Sequence, residues 1–278
     1  MELRETVLRQ LKNRREGFSL EQPFYTDPDY FKLDMETIWY RDWLFVGHDC
    51  EVAKSGSYFT VQVGAYSVVI VRGRDGQIRA FHNSCRHRGS RVCTTQKGQS
   101  ARLVCPYHQW TYELDGSLLF ARQMGEDFDK TAHSLKPIHC ETVGGYIFIN
   151  LSEKPMDFTA FREMALPYLA PHRLGETKVA FESTIVEKGN WKLVWENNRE
   201  CYHCAANHPE LCRTYPENPS VTGTDGGASD PEIGGHWARC EAAGLPSRFK
   251  IDPKGQFRVA RMPLIGEAGS YTMSGKRA

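Results

Sequence analysis

Hydrophobic and polar positions along this chain change period four times. In residues 1–16, Leu3, Val7 and Leu11 recur at i, i+4 and i+8, which predicts an amphipathic helix packed by one face on the body. Residues 21–28 carry prolines and read as an irregular lead-in. Helical spacing resumes over 29–41, with Tyr30, Phe31, Leu33, Met35 and Ile38 as its apolar positions. From Trp43 to Leu151 the period shortens. Segments 58–63, 67–71 and 78–83 are β-branched or aromatic, and the turn signals Gly64-Ala65 and Gly73-Arg74-Asp75-Gly76 separate them. Val104, 110–114 and 118–120 continue the pattern around an Asp115-Gly116 hairpin turn, and 138–143 and 146–151 flank Gly144-Gly145. So many short strands predict a small antiparallel β domain. Helical spacing returns over 158–169 (Phe161, Met164, Ala165, Tyr168) and ends at Pro171. Residues 179–186 read as a strand broken by Lys188-Gly189. Asn190 is placed to cap a helix with Trp191, Val194 and Trp195 on one stripe. From Pro216 to about Gly244, Gly, Ser and Pro predict a mobile loop.

Bulk composition narrows the class. A chain of 278 residues that is 40% hydrophobic and 25% charged is ordinary for one large or two smaller globular domains. A net charge of +1 gives no reason to expect nucleic acid or an anionic membrane as partner. The longest apolar runs have strand length, too short to span a bilayer, and the start MELRETVLRQLKNRREGF is too charged for a signal peptide. A soluble, cytoplasmic protein is expected. Nine cysteines in so long a chain then read as reduced thiols and metal ligands, not as a disulfide framework.

Two clusters of ligand-type residues carry the chemistry. The first is Cys85-Arg-His87, seventeen residues, then Cys105-Pro-Tyr-His108. Two thiolates and two imidazoles in a pair of loops form an S2N2 set, which means zinc or an iron–sulfur centre. The second lies in NWKLVWENNRECYHCAANHPEL, residues 190–211, with Glu200, His203 and His208. Two imidazoles and a carboxylate suit a mononuclear ion with open positions, the facial arrangement of non-haem Fe(II) oxygenases. On an ideal helix Glu200 and His203 lie about 60° apart, but His203 and His208 about 140° apart, too wide to share an ion. Pro209 disfavours helical geometry at His208, so the helix is expected to end or bend there and return His208 toward the metal. Cys201, Cys204 and Cys212 crowd this segment without matching a ligand spacing, and Cys93 lies between the first ligand pairs as a structural thiol.

CRHRG followed by CPYHQWTYELDGSL resembles the Rieske signature, and E-x2-H-x4-H resembles the mononuclear-iron motif of Rieske non-haem iron oxygenases, the aromatic-ring-hydroxylating dioxygenase family. The resemblance implies that Cys85 and Cys105 hold one iron of a [2Fe–2S] cluster and His87 and His108 the other. Neutral imidazoles in place of two thiolates raise the potential into a range of roughly −150 to +300 mV. It implies further that His203 and His208 hold mononuclear Fe(II). Glu200 becomes a bridge that passes an electron from His108 of a neighbouring chain in a homotrimer, not a ligand. Most members carry Asp at the bridge, and Glu points to the branch that oxidises quaternary ammonium compounds. The segments NNRECYHCAANHPEL and EGFSLEQPFYTDP resemble glycine betaine and proline betaine demethylases.

The fold class implied is α+β. A β-rich Rieske domain (41–155) is inserted in a catalytic domain built from 1–40 and 156–278, where an antiparallel sheet wraps a long helix. The family's third iron ligand is a carboxylate far beyond the histidines. Asp225, Asp230 and Asp252 come too early, so that ligand is expected beyond Ala278, in a part of the catalytic domain that this chain lacks. The implied activity is a monooxygenation that uses O2 and electrons from a flavin and iron–sulfur reductase, with NAD(P)H acting only through that partner. Hydroxylation of an N-methyl group of a betaine would release formaldehyde. A quaternary cation would want an aromatic cage, for which fourteen Phe, twelve Tyr and six Trp are candidates. Two other readings stay open: a Rieske oxygenase acting on an aromatic ring or aromatic acid, and a non-catalytic Rieske electron carrier or zinc-binding module.

Overall fold

The computed structural model describes residues 2–199, 203–208 and 231–242. The chain divides into two compact units, Met1–Glu187 and Lys188–Ala278. Among the described residues no helix is long and apolar enough to cross a membrane.

The first unit opens with helices α1 (Glu2–Lys12), α2 (Pro23–Thr26) and α3 (Pro28–Asp34), the last continuing into a π turn at Met35–Trp39. The lead-in expected to be irregular thus contains a helical turn. Pro23 at its first position supplies the helical φ, and Asp27 then caps α3 by accepting from Asp29 N–H at 2.8 Å. Val7, Phe24 and Tyr30 bury together as a small separate core.

Next comes a seven-stranded antiparallel sheet in the order β1-β10-β9-β4-β3-β2-β5. Its strands are β1 (Leu44–His48), β2 (Ser57–Val63), β3 (Tyr66–Arg72), β4 (Ile78–His82), β5 (Lys97–Gln99), β9 (Pro137–Val143) and β10 (Tyr146–Asn150). A smaller sheet, β6-β7-β8, is formed by β6 (Leu103–Val104), β7 (Thr111–Tyr112) and β8 (Leu118–Phe120). Strands β1 and β5 are additions to the predicted set. Both are edge strands, and β5 (Lys-Gly-Gln) has no hydrophobic pattern that could announce it.

Strand β3 sits between β2 and β4, and its run Val68-Val69-Ile70-Val71 is buried on both faces. Val69 and Val71 point into a core shared with Phe81, Leu103, Trp110, Tyr112 and Leu118, beneath the loops of the first ligand cluster. Val68 and Ile70 point into a second core with Phe59, Ile138, Ile147 and Ile149. Period-two alternation explains how one strand serves both cores.

Helix α4 (Thr159–Leu169) follows, one residue shorter than predicted, and the Phe158 ring, tilted, and the Phe161 ring, edge-on, pack on Phe148 of β10 at 5.4 and 5.3 Å. The expected strand over 179–186 pairs with no other strand among the described residues, and Phe181, Ile185 and Val186 are exposed. A β-branched pattern reports fitness for a pleated surface and does not itself provide a ladder.

In the second unit the structure describes α5 (Trp191–Arg199), α6 (Cys204–Asn207) and α7 (Pro231–Ala242). Asn190 caps α5 as predicted, its side-chain oxygen accepting from Lys192 N–H at 3.1 Å. Val194 and Trp195 of the predicted stripe are exposed. Helix α7 corrects the expectation of a mobile loop running to Gly244. Pro231 pre-organises its first turn, and Trp237 and Cys240, one turn apart, are both buried. That burial outweighs the roughly 1 kcal/mol that each of Gly234 and Gly235 costs a helix.

Candidate metal centres

The Cys85 and Cys105 loops have unlike sequences and one backbone design. Cys85 N–H donates to Ser90 O at 2.8 Å, and Gly89 N–H donates to Cys85 O at 2.9 Å. In the second loop Cys105 N–H donates to Trp110 O at 2.8 Å, and Gln109 N–H donates to Cys105 O at 2.9 Å. The fifth residue of each loop is left-handed, Gly89 at φ 75° and Gln109 at φ 61°. Glycine adopts this conformation without strain, whereas Gln109 adopts it at a cost of roughly 1–2 kcal/mol. Each loop thereby points its cysteine inward and its histidine along the same side.

Asn83 ties down the first loop. It is fully buried, and its amide donates to Cys93 O at 2.7 Å while its oxygen accepts from Val92 N–H and Cys93 N–H at 3.1 and 2.8 Å. Tyr112, also fully buried, joins the two loops. Its hydroxyl oxygen accepts from Arg86 N–H at 3.0 Å and lies 3.2 Å from Cys85 Sγ. Spacing-based reading missed both residues. The only sequence signal for Tyr112 was its place two residues after Trp110, inside the predicted strand.

All four predicted ligands come together. Cys85 and Cys105 are buried in one core, and burial pushes the Cys85 thiol above its ordinary pKa. The His87 and His108 rings lie 4.6 Å apart, centroid to centroid, at 75°. The His87 ring is stacked on Trp110 at 5.0 Å and 9°, and Tyr107 covers His108 at 3.8 Å. Desolvation, then the His108 and Arg88 charges, hold the His87 pKa below its usual value, which favours the neutral ring that can donate a lone pair. Nδ1 of His87 and Nδ1 of His108 are both buried and find no hydrogen-bond partner among the described residues. Among those residues no three His, Cys, Asp or Glu side chains converge to hold a single ion. A two-iron cluster does not need that, because each iron takes only two protein donors, sulfurs on one and imidazoles on the other. The donor set and the two orphaned nitrogens therefore fit a [2Fe–2S] group and suit a single tetrahedral ion poorly.

In the second unit α6 ends at Asn207, and His208 leaves helical geometry at φ −135°, ψ 56°. Its ring then lies 5.7 Å from that of His203. The chain thus breaks where Pro209 predicts, and two imidazoles separated by four residues become neighbours. Cys204 Sγ is 3.7 Å from His203 Nε2, so this thiol adjoins a ligand-type imidazole. Glu200, Cys201 and Cys212 lie outside the described residues, as do Asp225, Asp230 and Asp252.

Residues 42–136 match the family model of the Rieske [2Fe-2S] domain, and residues 174–265 match that of the ring hydroxylating alpha subunit (catalytic domain). The chain is 48% identical over 280 residues to the glycine betaine monooxygenase oxygenase subunit of Chromohalobacter salexigens, covering 99% of this chain and 62% of that protein. It is 46% identical over 272 residues to the subunit of the same description from Pseudomonas aeruginosa, covering 96% of this chain and 62% of the relative. The chain therefore spans 62% of the length of these curated relatives. Its fold is similar to the crystal structure of the quaternary ammonium Rieske monooxygenase CntA in complex with L-carnitine, with a TM-score of 0.62 at 35% identity over 69% of this chain and 56% of that one.

Proposed function

The chain belongs to the Rieske ring-hydroxylating oxygenases as an alpha-subunit member, and we propose that it serves as the oxygenase component of a betaine N-demethylase. The observation that carries the substrate class is 46–48% identity, over nearly the whole chain, to subunits described as acting on glycine betaine. In this reading residues 41–155 receive electrons and are inserted in a catalytic domain made of 1–40 and 156–278.

Cys85 and Cys105 would hold one iron of the Rieske cluster, and His87 and His108 the other. His203 and His208 would hold the mononuclear iron. The cluster supplies single electrons, and the iron supplies the O2 chemistry. This chain's residues do the rest. Tyr112 and the loop backbones fix the cysteines, and Trp110 fixes the plane of His87. Burial keeps His87 neutral, as a donor must be. Glu200, in the bridging role, would accept a hydrogen bond from an imidazole on each side, the cluster-side one being His108 of a second copy. The overall reaction balances as one quaternary N-methyl group, O2, two electrons and two protons giving an N-hydroxymethyl group and water. The C–N bond then breaks, leaving the tertiary amine, formaldehyde and a proton.

Substrate-dependent O2 uptake by full-length holoprotein with a flavin and iron–sulfur reductase tests this reading. Glycine betaine, proline betaine, carnitine and an aromatic acid are compared. Uptake is expected with a betaine. Uptake with the aromatic acid alone would replace the substrate claim, and a colourless zinc protein would overturn the oxygenase claim as well.

A further inference from the structure

A cavity of about 660 Å³ opens beside the first cysteine loop, in the first unit. Its walls include Tyr40, Tyr66, His82, Arg86, Lys136 and Glu153. Tyr66 makes edge contacts with Tyr40 at 5.0 Å and with His82 at 5.5 Å, which fixes the aromatic wall. His82 N–H donates to Lys136 O at 3.0 Å and anchors Lys136 at the end of β4. Burial, and then the Lys136 charge, hold the His82 pKa below its usual value. The fixed positive charges of the lining are those of Arg86 and Lys136.

Several cations of the first unit, among them Arg72, Arg79, Lys97 and Arg102, have a carboxylate partner. No described carboxylate lies within ion-pair distance of Arg86 or Lys136, although both line one cavity. Glu153 is the one acidic side chain of the lining. A guanidinium fork and an ammonium lining one cavity suit an oxyanion, which can take charge-assisted hydrogen bonds from both.

We propose that this cavity binds a small oxyanion, a carboxylate or a sulfate-like anion, between Arg86 and Lys136, and that its occupancy lowers the reduction potential of the adjacent cluster. The binding half stands on the cavity alone, while the redox half rests on the Rieske reading. The coupling follows from position. Arg86 adjoins Cys85 in the chain, and its N–H donates to the Tyr112 hydroxyl that touches Cys85 Sγ. An anion held at Arg86 puts negative charge beside a centre that becomes more negative on reduction, so the reduced form is disfavoured.

The test is a calorimetric titration of the full-length holoprotein with sulfate and with acetate, at ionic strength held constant with sodium chloride. Saturable binding of sulfate or acetate is expected, weakened about tenfold or more by Arg86→Gln and by Lys136→Gln, which is a loss of about 1.4 kcal/mol each. Binding of acetate would identify a carboxylate as the recognised group, and sulfate alone would identify a tetrahedral oxyanion. No saturable heat, or Lys136→Gln binding like the parent, would overturn the site. Spectroelectrochemistry reads the second half. The saturating anion should lower the midpoint potential of the parent and leave both variants unmoved. Equal shifts in parent and variants, or none in the parent, would overturn the coupling.

Discussion

Two buried imidazole nitrogens without partners, Nδ1 of His87 and Nδ1 of His108, are costly in a folded protein, about 1–3 kcal/mol each. The cost makes sense where both atoms donate to iron. Tyr112 is the residue next to this site whose role is most open to measurement. Arg86 N–H already occupies its oxygen as acceptor, so the hydroxyl proton is left for the Cys85 sulfur. A hydrogen bond to a cluster sulfur favours the more negative, reduced state. Tyr112→Phe should therefore lower the midpoint potential, by roughly 40 mV for each kcal/mol of differential stabilisation in a one-electron couple. A variant with an intact cluster spectrum and an unchanged potential would show that Tyr112 only packs. The Cys93 thiol gives a pH prediction. Burial pushes its pKa to about 12, against about 8.5 for an unfolded thiol. The folded state favours the neutral form, so this contribution to stability is complete below about pH 8.5 and declines as pH rises toward 12. Iodoacetamide at pH 8 should leave Cys93 unmodified by mass spectrometry until denaturant is added. Labelling in the native protein would contradict its burial.

At the scale of elements, the turn between β7 and β8 is exacting. Gly116 sits at φ 89°, and a Cβ there would run into the Phe81 ring, which belongs to the core beneath the cysteine loops. Gly116→Ala combines a left-handed penalty with overpacking, about 2–4 kcal/mol in total. It should appear in chemical denaturation as a lower midpoint and loosen the second cysteine loop. A loss below about 0.5 kcal/mol, the range of an ordinary surface substitution, would show that the turn relaxes freely. Most of this architecture was legible. Hydrophobic alternation and turn residues marked β2, β3, β4, β9 and β10, and ligand spacing marked six Cys and His residues that lie in two groups, whose His pairs the structure brings close. The failures have physical causes. Strand β5 pairs through its backbone with side chains that carry no pattern. Residues 179–186 have strand chemistry but no partner strand among the described residues. Helix α7 was hidden by Gly234-Gly235, whose helix cost is overcome by burial of Trp237 and Cys240. Asn83 and Tyr112 were missed because second contacts to a metal site carry no spacing rule.

At the scale of the whole molecule, the proposed bridging role places Glu200 between two metal centres without making it a ligand of either. If that role holds, removing the Glu200 charge should spare both centres. Reductase-supported turnover of Glu200→Gln should fall by about 10–100-fold, with iron content and visible spectrum unchanged. Normal turnover would mean that electrons take another route, and loss of iron would mean that Glu200 is a ligand. The most direct test of the central claim omits the reductase. Full-length holoprotein is chemically reduced under anaerobic conditions and given glycine betaine with ¹³C-labelled N-methyl groups. It then receives a single addition of O2. The account predicts labelled formaldehyde and dimethylglycine in equal amounts, up to about one per mononuclear iron. Consumption of O2 without labelled formaldehyde would contradict it.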